Sequence, residues 1–97
     1  MPIRMKVYHQ GKETLVAAAD ADLIGKTFRE GKFKIEVGKF YEGEVVSEEA
    51  FLGQLHLATI GNFVGTETVD AAMRGGYVSD GGILLIDGVP HAQFVLM

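Results

Sequence analysis

Five side chains in this chain have chemistry to offer a site, Lys26, Arg29, Asn62, His91 and Gln93, and their types limit what that chemistry is. His91 is the strongest candidate for proton transfer, because an imidazole titrates near neutral pH. It follows Pro90, whose ring fixes the backbone, and its alternation face is shared with Gln93. The simpler reading, which we favour, is a half-buried histidine hydrogen-bonded to a neighbouring strand. The other two histidines, His9 and His56, are isolated in sequence, and none of the three shows metal-ligand spacing. No serine stands in an elbow motif, so a catalytic triad has no support. Gly25-Lys26-Thr27 invites a phosphate-loop reading. Such a loop needs a glycine five residues before Gly25, and Asp20 stands there instead. A weaker version survives, in which Lys26 and Arg29 beside a short helix hold one anion. Solvated charges on a turn are the blander alternative. Neither a metal nor a cofactor is expected, and the residues lean against an enzyme.

Charge is distributed unevenly. Residues 1–40 hold eight of the nine basic residues against five acids, whereas residues 41–97 hold Arg74 alone against eight acids. Lys26, Arg29, Lys32, Lys34 and Lys39 form the basic concentration. It reads either as an anion-binding patch for phosphate or RNA, or as charge that the acidic half neutralises across the folded domain or a homodimer. We favour neutralisation, because five cations fall short of the usual nucleic-acid footprint. The aromatic–basic interleaving of known RNA motifs is also missing.

The elements that position these residues follow from periodicity. Ile3, Met5 and Val7 alternate with Arg4, Lys6 and Tyr8, as in a half-buried strand. Gln10-Gly11-Lys12 supplies a turn into a second strand over residues 13–19. Asp20 reads as the N-cap of a short helical segment over Ala21–Gly25. Phe33, Ile35 and Val37 alternate in a third strand, and Glu44-Val45-Val46 is a short extended stretch. Ser47 caps a helix that the apolar spacing extends over residues 48–64, with Glu48 and Glu49 in its first turn. Phe51, Leu55, Ala58 and Asn62 fall on one row of that helix, which places the Asn62 amide on the core side. A buried amide must be hydrogen-bonded, so Asn62 either ties down a nearby loop or lines a site with His91. Gly65 ends this helix, and Thr66 caps a second one that Gly75-Gly76 stops.

Ile83–Ile86 and Val89–Leu96 flank Asp87-Gly88, the strongest short hairpin signal. A two-residue loop pairs Ile86 with Val89 and sets Leu85 against Pro90 at a position that needs no N–H from the proline. The other side of Pro90 then lies at an edge or bulge. Ala92, Phe94 and Leu96 share one face, and His91 and Gln93 point to the other. The order argues an α+β fold. It is a mostly antiparallel sheet built from N- and C-terminal hairpins plus a middle strand, with two to three helices on one face.

At 97 residues the chain is one domain, 1–97, long enough for a core without staples. It has no cysteine, which fits a reducing cytoplasm. The opening MPIRMKVYHQ lacks the apolar core of a signal peptide, and no apolar run approaches a membrane span.

Four stretches carry a resemblance: Leu23 through Gly31, Phe40-Tyr41 followed by Gly43, Ala58 through Asn62 to Val64-Gly65, and Gly88-Val89-Pro90-His91-Ala92-Gln93. On them the chain resembles the archaeal family known as domain of unknown function 424. The resemblance implies an archaeal, cytoplasmic, single-domain protein and assigns no activity or catalytic residue.

Three functions stand. The first is a non-catalytic binding module for RNA or a ribonucleoprotein through Lys26–Lys39. The second is a homo-oligomeric or protein-interaction module, motivated by the all-round apolar helix 48–64 and the edge at Pro90. The third is a small enzyme or ligand binder whose pocket joins His91, Gln93 and Asn62 with Lys26 or Arg29.

Overall fold

The computed structural model describes residues 2–96. Strands β1 (Ile3–Gln10) and β2 (Glu13–Asp20) form the N-terminal hairpin about a two-residue turn, Gly11-Lys12. Strands β3 (Thr27–Glu30), β4 (Phe33–Glu36) and β5 (Glu44–Val46) follow, then helix α1 (Glu48–Leu55) and strand β6 (Ile60–Val64). Helix α2 (Thr66–Arg74) leads to the closing hairpin of β7 (Leu84–Ile86) and β8 (Val89–Val95). Six strands make one sheet in the order β5-β1-β2-β6-β8-β7, antiparallel except where β2 runs parallel to β6. Both helices pack on one face, in an α+β architecture.

Strand β2 explains itself once both faces are seen. Val16 and Ala18 enter the helix-side core, and Ala17 and Ala19 enter a second core on the opposite side. All four are fully buried. A strand covered on both faces has no polar side to show.

That same physics corrects the long helix. Helix α1 begins as expected, with the Ser47 hydroxyl accepting from the Ala50 amide at 3.0 Å, but it stops at Leu55. Residues 60–64 are the central strand of the sheet. A short apolar run looks alike as buried helix or buried strand, and only its partners decide. Thr59 sets the partners here. Its amide donates to the Thr14 carbonyl at 2.8 Å, its hydroxyl accepts from the Thr14 amide at 2.9 Å, and its carbonyl accepts from Leu96 at 2.8 Å. The residue is clamped between β2 and β8 before β6 begins. Gly61 then leaves the space that the Phe63 ring fills; a Cβ there would lie 2.4 Å from the ring.

The third strand also differs from expectation. It pairs with Thr27–Glu30 in a separate two-stranded ribbon instead of joining the main sheet. The ribbon packs over the face opposite the helices, with Phe28 and Ile35 inward. Residues 21–23 make only a 3-10 turn, and Asp20 does not cap it. Its carboxylate reaches across the sheet to α2 instead. It accepts from the Thr68 amide and hydroxyl, each at 2.8 Å, and from the Glu67 amide at 3.2 Å. Gly65, not Thr66, occupies the N-cap position of α2. Its φ of 108° and the carboxylate beside it both exclude a side chain there. The cap of α2 is thus supplied from 48 residues away.

The closing hairpin has the expected register, Ile86 with Val89 and Leu85 with Pro90. Asp87 and Gly88 both take positive φ, 53° and 78°, the geometry of a tight hairpin turn. Strand β8 is not an edge, however, because it lies between β6 and β7. Pro90 is tolerated where the β6–β8 ladder ends. The Gly65 carbonyl that would face a Pro90 N–H accepts from Val69 instead, at the start of α2.

Candidate functional site

The sheet face under the ribbon gathers three of the five candidate residues. Asn62 and Gln93 are direct cross-strand partners. His91 lies two residues from Gln93 on the same face, opposite Val64 and Leu84. Asn62 therefore points away from Phe51 and Leu55, because it lies on a strand and not on their helix. Its Oδ1 accepts from the Tyr41 hydroxyl at 2.5 Å, which ties the loop after β4 to the centre of the sheet.

Tyr41 is a member of this cluster that residue chemistry alone did not single out. Its ring is almost fully buried, and burial pushes its hydroxyl up to about 12. A signal existed in the sequence: Phe40-Tyr41 beside Gly43 is an aromatic pair in a loop otherwise made of turn residues. The neighbouring Phe40 ring stacks on Tyr8 with centroids 5.3 Å apart, and the Tyr8 hydroxyl donates to the Phe40 carbonyl at 2.9 Å.

The His91 Nδ1–H donates to the Phe63 carbonyl at 3.0 Å, an arrangement that leaves Nε2 for another partner. The ring borders a shallow depression of about 280 Å3 lined by Gly82, Leu84, His91 and Gln93. No carboxylate or lysine is among those lining residues. Among the described residues no cluster of potential metal ligands occurs.

Lys26 and Arg29 do not join this group. Arg29 and Lys34 are cross-strand partners on the outer face of the ribbon, because Phe28 and Ile35 take the inner one. Lys32 stands in the exposed turn between the two strands, and Lys26 is exposed at their base. Lys34 pairs with Glu36 at 2.7 Å, and that hydrogen-bonded ammonium, with Arg29 adding to it, holds the Glu36 carboxyl below its usual range. Glu30 is engaged elsewhere, accepting from the Asp87 amide at 2.6 Å. Among the described residues Lys26, Arg29, Lys32 and Lys39 form no ion pair, so the acidic half does not neutralise the cluster by direct contact. The exposed acids Glu48, Glu49, Glu67 and Asp70 lie on the two helices, across the sheet from the ribbon. Phe33, between Lys32 and Lys34 in sequence, is 53% exposed but lies opposite Glu30 on the Phe28 face of the ribbon, whereas Phe40, after Lys39, is 39% exposed.

Both motives for a homo-oligomer change with the fold, since residues 60–64 are an interior strand and Pro90 is not at an edge. Among the described residues no helix is long and apolar enough to cross a membrane.

Residues 8–97 match the model of the family described as a protein of unknown function, DUF424. No curated protein matches the chain. The crystal structure of an uncharacterized conserved protein from Methanopyrus kandleri is similar over 100% of this chain and 95% of that one, with a TM-score of 0.84 and 17% identity. At that identity the likeness is one of fold.

Proposed function

We propose, for a chain that belongs to the DUF424 family of unknown function, a non-catalytic binding role. In this reading it is a single-domain cytoplasmic archaeal module that engages RNA or a ribonucleoprotein through the outer face of the β3–β4 ribbon. The observation that carries this is the direct cross-strand opposition of Arg29 and Lys34 on an exposed surface. Like charges in that relation destabilise a ribbon. Glu36 relieves this only in part, bonded to Lys34 and attracted more weakly by Arg29. A phosphate between them would relieve both, and Lys26, Lys32 and Lys39 extend the positive surface on either side. Five cations against Glu30 and Glu36 leave the ribbon segment 26–39 net positive, and Glu48, Glu49, Glu67 and Asp70 lie on the helix side, so an anionic polymer would be steered to the ribbon.

The test is fluorescence anisotropy of a labelled single-stranded RNA from 25 to about 200 mM salt. Binding should weaken steeply with salt. The double variant Arg29→Ala/Lys34→Ala should lower the slope of log K against log salt by about 1.4, at roughly 0.7 for each phosphate that is no longer neutralised. No binding at the lowest salt, or an unchanged slope in the variant, would refute this reading.

A further inference from the structure

The ribbon covers only part of its face of the sheet. It buries Ala19, Val64 and Ile86, whereas Lys6, Gln93 and Val95 on the same face remain exposed. Resting on the RNA reading above, we infer that this uncovered half is a platform for unpaired nucleobases, so that the ligand is single-stranded.

The platform is already assembled. Phe40 stacks on Tyr8 with an interplanar angle of 18°, and the hydrogen bond from the Tyr8 hydroxyl to the Phe40 carbonyl fixes the pair. The Lys6 ammonium lies 5.5 Å from the centre of the Tyr8 ring. Tyr41 also packs T-shaped against Phe40, with centroids 5.0 Å apart, so the ring is braced from two sides and the 39% of it that stays exposed meets a base without a further ordering cost. Beside it, the Asn62 and Gln93 amides stand side by side as cross-strand partners. The Asn62 oxygen is occupied by Tyr41, so Asn62 has N–H donors left, while Gln93 has both donor and acceptor. These are the groups that hydrogen-bond base edges, and base edges are open only on unpaired strands. Lys6 on this surface and Lys39, next to Phe40, supply charge for the phosphates that such bases carry. Val95 (58% exposed) gives the same surface an apolar margin.

A duplex cannot use this surface, since its bases are stacked and paired. A polyphosphate cannot either, since it has no bases. The experiment compares a labelled single-stranded RNA, a blunt RNA duplex of the same length and inorganic polyphosphate, each against the full chain at one low salt concentration. The single strand should bind at least about tenfold tighter than the duplex. Phe40→Leu keeps apolar bulk against Tyr8 but removes the flat ring. It should weaken the single strand by roughly 5- to 100-fold, the loss of one stacked base, and leave the duplex and polyphosphate unchanged. Gln93→Ala, at an exposed position, should weaken only the single strand. Equal binding of single strand and duplex, or a Phe40→Leu chain that binds the single strand as tightly as the parent, overturns the platform. If Arg29→Ala/Lys34→Ala weakens all three ligands while Phe40→Leu weakens none, the platform falls and the ribbon reading stands. If none of the three binds, both fall.

Discussion

On one side of the sheet two helices bury Phe51, Leu55, Val69, Ala71 and Ala72 almost completely. On the other, a ribbon of two four-residue strands buries Ile35 and leaves Phe33 more than half exposed. The helix side is held by edge-to-face aromatic pairs, Phe51 with Phe63 at 5.5 Å and Tyr77 with Phe94 at 5.3 Å. The ribbon side relies more on polar ties between distant segments: Tyr41 to Asn62, Glu30 to the Asp87 amide, and Tyr8 to the Phe40 carbonyl. Close packing of large rings is non-directional and worth several kcal/mol per side chain, whereas each neutral hydrogen bond contributes about 1 kcal/mol net. The two covers therefore divide the labour. The helices stabilise the sheet. The ribbon holds polar and charged groups at the surface.

The comparison can be broken most sharply at Phe51. Phe51→Ala removes a fully buried ring from the helix cover and should cost about 3–5 kcal/mol in denaturant unfolding. A loss under 1 kcal/mol would mean that the helix side is not the stabilising one. Next in size is the cap that joins the cover to the sheet. Asp20→Ala strands the Thr68 hydroxyl and two amides of α2 and should cost about 2 kcal/mol, with faster amide exchange concentrated in residues 66–70. Exchange that speeds up elsewhere but not there would show that Asp20 acts by other means.

The smallest effect is expected on the ribbon side. Tyr41→Phe should cost about 1 kcal/mol at neutral pH, from the lost hydrogen bond to Asn62. It should also change the alkaline limb of the stability curve. The folded chain keeps the Tyr41 proton up to about 12, above the ordinary 10.0. Between those values the unfolded chain has fewer bound protons, so stability falls as pH rises. The stability is fully present below pH 10 and declines from there toward 12. The Phe variant should decline less steeply, and parallel curves for the two proteins would remove Tyr41 as the titrating group.

Much of this fold is legible in the residues themselves. Alternation at Ile3, Met5 and Val7 specifies β1, Ser47 with Glu48 and Glu49 opens α1, and Asp87-Gly88 closes the last hairpin in the register that Pro90 permits. These are local signals, set by side-chain period, capping and turn geometry over a few neighbouring positions. The candidate site was legible only in pieces. His91 and Gln93 share a face by alternation, but Asn62 reaches them only because Ile60–Val64 is a strand, and Tyr41 only because its loop folds back over that strand.

What tertiary structure alone decided was every choice between partners. Residues 60–64 are apolar but for Asn62 and would suit a buried helix; the Thr59 clamp between β2 and β8 makes them an interior strand. Asp20 has the chemistry of a cap, but which helix it caps depends on a glycine 45 positions later that leaves room for its carboxylate. The basic residues cluster in the chain, yet their separation from the His91 group follows from the ribbon turning Phe28 and Ile35 inward. Propensity and period act within a few residues. Burial and hydrogen-bond satisfaction act between segments that sequence leaves far apart, and they outweigh the local preference wherever a segment is apolar on every side.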